Sequence, residues 1–332
     1  MRERIDMRLV VAAVLGLTVV AAVAGLPFFT SERYILRVFT FAGVNVIIIT
    51  GMALLFGYAG QVSLGHAAFF GVGAYASAFV VTQLGWPWIG GVIVAIVLTA
   101  TGGLLLALPS LRLKGHYLAM ATLAFGEIMR VVFTEARTVT GGPDGLSGIP
   151  YPSLGPLAFD SASASYWLVW AVAGITLLLA ANLVRSRAGR AMRALHGSEL
   201  GATACGIDIT GIKVRVFVIS ASFAGLAGAL YAHVVGFISP STFSLHVSVL
   251  LVAMAVLGGT SSLLGPVIAA VLLTLIPFSD AVIPGLSRSA LETIQEWQED
   301  IYGLTIIAVM IFMPGGIGGL LRRIGTGRSA ER

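Results

Sequence analysis

Side chains able to do chemistry are few in this chain, and they gather in three places. Glu127 and Arg130 stand three residues apart inside an apolar run. That spacing puts both on one face of a helix. A charge at mid-membrane costs about 2.5–3.5 kcal/mol on insertion scales, so such residues face protein or water. Mutual neutralisation is the plain role for this intramembrane charge pair, with both side chains expected to face the protein interior; a part in a transport path or in proton movement is the sharper one. Gln61, Ser63 and His66 belong to Gly57-Tyr58-Ala59-Gly60-Gln61-Val62-Ser63-Leu64-Gly65-His66, a polar, glycine-bearing break between two apolar runs. Irregular backbone at membrane depth is tolerated where it is buried in protein or lines a water-filled path. These three side chains are the groups available to line a translocation path; the alternative is an inner loop with Ser63 capping the next helix. The third place is the basic stretch from Arg185 to Arg215, which holds Arg187, Arg190, Arg193 and Lys213 around an apolar middle of Ala202, Ala204, Cys205 and Ile207.

Several chemistries find no support. His66, His116, His196, His233 and His246 show no metal-ligand spacing, and the one cysteine, Cys205, adds no cluster to them. The two lysines, Lys114 and Lys213, sit outside any phosphate-binding loop, and neither a G-x-S-x-G elbow nor an H-E-x-x-H helix is present. The chain is therefore expected to be non-catalytic, with no cofactor of its own. If ATP drives it, ATP and Mg are bound by another chain.

The elements that must position these residues are membrane helices. Hydrophobic residues make up 57% of the chain, charged residues 11%, and mean hydropathy is +0.96, against about 25% charged residues in a soluble domain. The apolar runs are about 20 residues long without alternation, so helices rather than barrel strands are expected. The 41 glycines suit close helix packing. The expected fold is an all-α polytopic membrane protein of about ten spans in a single transmembrane domain: Leu9–Phe29, Tyr34–Phe56, Ala67–Leu84, Trp86–Leu108, Gly115–Thr134, Ala164–Val184, Val214–Ile238, Val247–Leu257, Leu263–Ile283 and Ile301–Met313. With both termini cytoplasmic, the inner segments collect Arg2, Arg4, Arg8, Arg112, Lys114, the stretch 185–213, Arg322, Arg323, Arg328 and Arg332, while the outer loops hold Arg33, Arg137 and Arg288. Basic residues mark the cytoplasmic side. Trp86, Trp88, Trp167, Trp170 and Trp297 all fall at the outer interface in this arrangement, where amphipathic rings are favoured. The first stretch also has the layout of a signal peptide, ending Ala22-Val23-Ala24. The net charge of +5 reads as membrane orientation in a lipid bilayer, not as nucleic-acid binding.

Two outer segments are more than turns. The outer loop, about 135–163, carries Thr140-Gly141-Gly142-Pro143-Asp144-Gly145, the residue types of tight turns. Ser289-x-x-Glu292 resembles a capping box ahead of Leu291, Ile294 and Trp297, so a helix lying in the outer interface is expected over about 288–300. An internal echo pairs Gly60-x-x-Ser63-Leu64 with Gly259-x-x-Ser262-Leu263; internal repeats are common in transporters.

The residues from Gly57 to Phe69 with Gly73-Ala74-Tyr75, from Arg112 to Glu127, Thr140 to Leu146, Gly258 to Pro266 and Met313 to Leu320 together resemble LivM-type permeases of branched-chain amino acid ABC importers. The matches follow family order from about residue 34 to 321; Ser261 stands where glycine is expected. Ser186 to Ala194, then Glu199, Ala202 and Gly206-Ile207, resembles the cytoplasmic coupling loop of such permeases, one residue longer than the usual form between Glu199 and Gly206. The resemblance implies a short helix seated in a groove of the ATPase, with Arg190, Arg193, Glu199, Ala202 and Gly206 as coupling residues. It implies a homologous second permease (LivH-like), two ATPase subunits on the cytoplasmic face, an extracytoplasmic solute-binding protein, and residence in a bacterial-type inner membrane. Branched-chain amino acids, urea, short amides and aromatic acids are all substrates of similar permeases. A proton-coupled secondary carrier using Glu127 and histidines is the alternative from another class.

Overall fold

In lipid the backbone must satisfy its own hydrogen bonds, and the apolar runs among the described residues fold into helices. This computed structural model describes residues 32–110, 116–155, 157–259 and 262–278, with single positions or short stretches at 25, 27, 297, 300, 303–304, 307–308, 311 and 315–319. The expected first span, the inner charges Arg2, Arg4, Arg8, Arg112 and Lys114, most of the interfacial helix 288–300 and of the span Ile301–Met313, and the C-terminal arginines lie outside the described residues.

The long helices are α1 (Arg33–Met52), α2 (His66–Gln83), α3 (Trp88–Ser110), α4 (His116–Glu135), α6 (Ala162–Arg185), α9 (Ile209–Val235), α10 (Leu245–Gly258) and α11 (Leu264–Leu275). Among the described residues, six stretches are long and apolar enough to cross a membrane: 33–58, 88–108, 116–135, 162–185, 209–235 and 240–258. The protein is an all-α polytopic membrane protein, and the only strands among the described residues are four of two residues each. A short helix, α5 (Arg137–Thr140), opens the outer loop. The basic stretch is not a loop: it folds as α7 (Arg187–Gly197) and α8 (Glu199–Ala204), and α9 begins five residues before the expected span.

The centre is α9, which packs along α2 and α3, with α1 against α6, α9 and α11. Lipid tails are as apolar as leucine, so close approach through small residues, not hydrophobicity, holds such helices together. Gly73 of α2 meets Gly225 of α9 so closely that a Cβ on Gly73 would lie 2.5 Å from the Gly225 Cα. Trp170 Nε1 donates to the Phe39 carbonyl at 3.1 Å and ties α6 to α1.

The outer segment is strapped to the end of α9. Strand β1 (Leu146–Ser147) pairs antiparallel with β4 (Phe237–Ile238), and β2 (Ser153–Leu154) with β3 (Leu157–Ala158). His233 Nδ1 lies 2.8 Å from the Pro150 carbonyl, which can only accept. Its other nitrogen therefore accepts from the Ser77 hydroxyl, 2.9 Å away.

Candidate transport site and coupling surface

The first candidate site begins where α1 loosens. Its last turn continues as a π-helix over Ala53–Tyr58, a form found mostly as single turns and often at functional sites. The Ala59 and Gln61 amides donate back to the Leu54 and Leu55 carbonyls at 3.1 and 3.0 Å. Gly60 takes a φ of 67°, a left-handed conformation that glycine adopts without cost. The chain then turns into α2 through Ser63 and Gly65.

Here the three expected residues divide. Ser63 and His66 are 0% and 1% exposed. His66 Nδ1 is 3.0 Å from Ser63 Oγ, and Nε2 is 2.7 Å from Ser220 Oγ on α9. Thr122 of α4 accepts from the Leu64 amide at 2.9 Å, and Ser248 of α10 accepts from the Ala67 amide at 3.1 Å. Five segments thus meet at one buried polar cluster. Gln61 stands apart: it is half-buried, and its side-chain carbonyl oxygen is buried without a hydrogen-bond partner among the described residues. Sequence reasoning missed Thr122, Ser220 and Ser248. Their only local signal is a hydroxyl inside an apolar helix, and the partners lie up to 181 residues away.

The internal echo has a geometric counterpart. Gly259 repeats the positive φ of Gly60, at 79°. Ser262 accepts from the Gly265 amide at 3.2 Å, as Ser63 does from Gly65 at 3.4 Å.

Glu127 and Arg130 pair as spacing three allows, with Arg130 Nε donating to Glu127 Oε2 at 2.8 Å. They do not turn into the chain: their side chains are 40% and 49% exposed. Only Leu118, Thr122 and Phe133 of α4 are buried, and the pair sits away from that stripe.

On the basic unit, three side chains start three successive helices. Ser186, Ser198 and Asp208 accept from the amides of Gly189, Gly201 and Gly211, each satisfying one orphan donor at a helix start. Gly206, at φ 73°, ends α8: its amide and that of Ile207 donate to the Thr203 and Ala202 carbonyls, a Schellman arrangement that requires a left-handed residue there. Met192 and Leu195 are buried under α7, while Arg190 and Arg193 are exposed; Arg193 donates to the Val184 carbonyl at the end of α6. Lys213 Nζ holds Glu199 Oε1 at 2.6 Å and pins α8 to α9. Ala202 is 3% exposed and faces the chain. The large apolar side chain left bare here is Leu200, 85% exposed, which the sequence reading passed over.

The described residues also line a partly open, mostly apolar cavity of about 280 Å³ between α1, α10 and α11, where Asn45 Nδ2 donates to Thr274 Oγ1.

A buried polar centre in a bundle of membrane helices, with a capped basic helix pair at one end, is the geometry against which relatives can be compared. The family described as the permease component of branched-chain amino acid transport systems matches residues 34–311. The chain belongs to that family. The permease is 31% identical over 314 residues to the high-affinity branched-chain amino acid transport system permease protein LivM of Salmonella typhimurium, across 88% of this chain and 71% of that protein. LivM of Escherichia coli matches to the same extent. The autoinducer 2 import system permease protein LsrC of Yersinia enterocolitica is 26% identical over 207 residues, 61% of this chain and 53% of that one. No solved structure matches the permease.

Proposed function

We propose that this permease is the LivM-like half of an ABC importer that carries branched-chain amino acids, or a related small polar solute, handed over by an external binding protein. The observation that carries the reading is the 31% identity to LivM across 88% of the chain. The partners are a homologous second permease, two ATPase subunits that bind ATP and Mg, and the solute-binding protein. The permease lies in the inner membrane in about ten spans with both termini cytoplasmic, the side to which its basic residues point.

The unit over about 185–213 is the coupling surface for the ATPase. Its helices are capped, and Lys213 fastens them to α9, so a push on α8 reaches the centre of the bundle. Arg190, Arg193 and Leu200 form the surface offered to the ATPase; Glu199, Ala202 and Gly206 hold its shape. In the segment from Gly60 to His66, Gln61 is the group placed to meet a passing solute, because its oxygen has no partner among the described residues. Ser63 and His66 set the wall of the path from behind.

The test is reconstitution of the permease and its partner permease with and without the ATPase pair, reading accumulation of labelled L-leucine. Uptake should require the ATPases and ATP. Uptake driven by a proton gradient without them would establish the secondary-carrier reading instead.

A further inference from the structure

The exposed part of α4 carries a line of mixed character. His116, Met120, Leu123, Glu127, Arg130 and Thr134 follow one another at intervals of four and three, the repeat that keeps side chains in one straight stripe on a helix; four of the six are polar. The stripe lies to one side of Leu118, Thr122 and Phe133, the buried residues of α4. At about 1.5 Å per residue it runs close to 30 Å, the thickness of a hydrocarbon core. The flank beside it is different: Tyr117, Ile128 and Val131 are 68%, 61% and 51% exposed, and Ile128 and Val131 offer no polar atom. One exposed side of α4 suits lipid, and the adjacent side carries a carboxylate and a guanidinium.

Charges at membrane depth that do not face protein face water. With the chain read as an importer's permease, we infer that the Glu127–Arg130 pair is a station in the translocation path that recognises the zwitterionic head of an α-amino acid. The chemistry fits in both states. Empty, the two groups neutralise each other at 2.8 Å. A passing amino acid exchanges partners with them: its carboxylate takes the Arg130 fork and its ammonium takes Glu127, so two ion pairs replace one pair and a solvated zwitterion. Guanidinium and carboxylate are matched for two parallel hydrogen bonds. Net charge in the path stays zero throughout, and since the pair can re-form, the solute is held briefly and released. A neutral amide or urea gains nothing from this exchange.

The experiment uses the complete transporter in proteoliposomes, with L-leucine and urea as separate probes. Glu127→Gln and Arg130→Gln should each lower the maximal rate of leucine uptake at least tenfold. Recovery of the assembled complex and the half-saturating leucine concentration, set by the binding protein, should stay within twofold. The exchanged pair Glu127→Arg/Arg130→Glu should return the rate to within about threefold of the unaltered transporter. Wild-type rates in both neutral variants, or losses of uptake that merely follow losses of assembled complex, would overturn the inference. An unaltered transporter that moves urea and not leucine would also overturn it while leaving the permease reading intact. Transport of neither probe with ATP present would overturn this inference, while the permease reading still stands on uptake of another small polar solute that requires the ATPases.

Discussion

The polar cluster around His66 and the ion pair on α4 are both hydrophilic groups set in apolar helices, and they are satisfied in opposite ways. In the cluster, Ser63, His66, Thr122, Ser220 and Ser248 are buried, and their partners come from five separate segments of the same chain. In the pair, Glu127 and Arg130 satisfy each other across one helical turn and remain well exposed. Polar groups that find partners across a bundle lock it in one arrangement, because no other packing satisfies them. Polar groups that find only each other, on an outward face, are free to change partners. The first kind builds the permease, and the second is available to a solute.

That contrast breaks most visibly if the cluster proves dispensable. His66→Leu should leave the hydroxyls of Ser63 and Ser220 buried without their shared partner. With about 1–3 kcal/mol for the Ser220 hydroxyl left unpaired and less for Ser63, which keeps the Gly65 amide, the loss of stability should be about 2–4 kcal/mol, read by thermal unfolding in detergent. Ser220→Ala removes one contact and should cost about 1–2 kcal/mol. The double variant should cost little more than His66→Leu alone, since neighbours in one network do not add. The opposite side of the comparison is sharpened by Glu127→Gln in the detergent-solubilised chain, whose unfolding should shift by less than about 1 kcal/mol, as for exposed pairs generally. A larger loss than that of Ser220→Ala would mean that the pair holds the fold. The smallest effect is expected at Gln61. Gln61→Ala deletes a buried oxygen without a partner, so stability should hold or rise slightly while leucine uptake by the assembled transporter falls.

Much of this architecture can be read from residue order. Apolar runs place the long helices to within a few residues, because length and the absence of alternation admit little else in lipid. The membrane spans hide the early start of α9, since Asp208 three residues before Gly211 is a cap signal written in polar residues, not in hydropathy. Ser186 and Ser198 carry the same signal for α7 and α8. The cluster partners are a different matter: nothing near Ser63 in sequence points to Ser220, because the link depends on α2 and α9 lying side by side. The direction of Glu127 and Arg130 is equally hidden. Spacing puts them on one face, but which face α4 buries depends on Leu118, Thr122 and Phe133 meeting neighbours, and apolar residues surround the helix on every side.

The division between a dry cluster and a wet stripe is tested most directly by thiol chemistry in the assembled transporter. With Cys205 replaced by serine, Leu123→Cys places a thiol on the stripe and Ser220→Cys places one in the cluster. A small, charged, water-soluble thiol reagent should modify Cys at position 123 in at least one nucleotide state and leave position 220 unmodified in all of them. Modification at 220 with none at 123 would contradict the assignment of the outward face of α4 to the water-filled path.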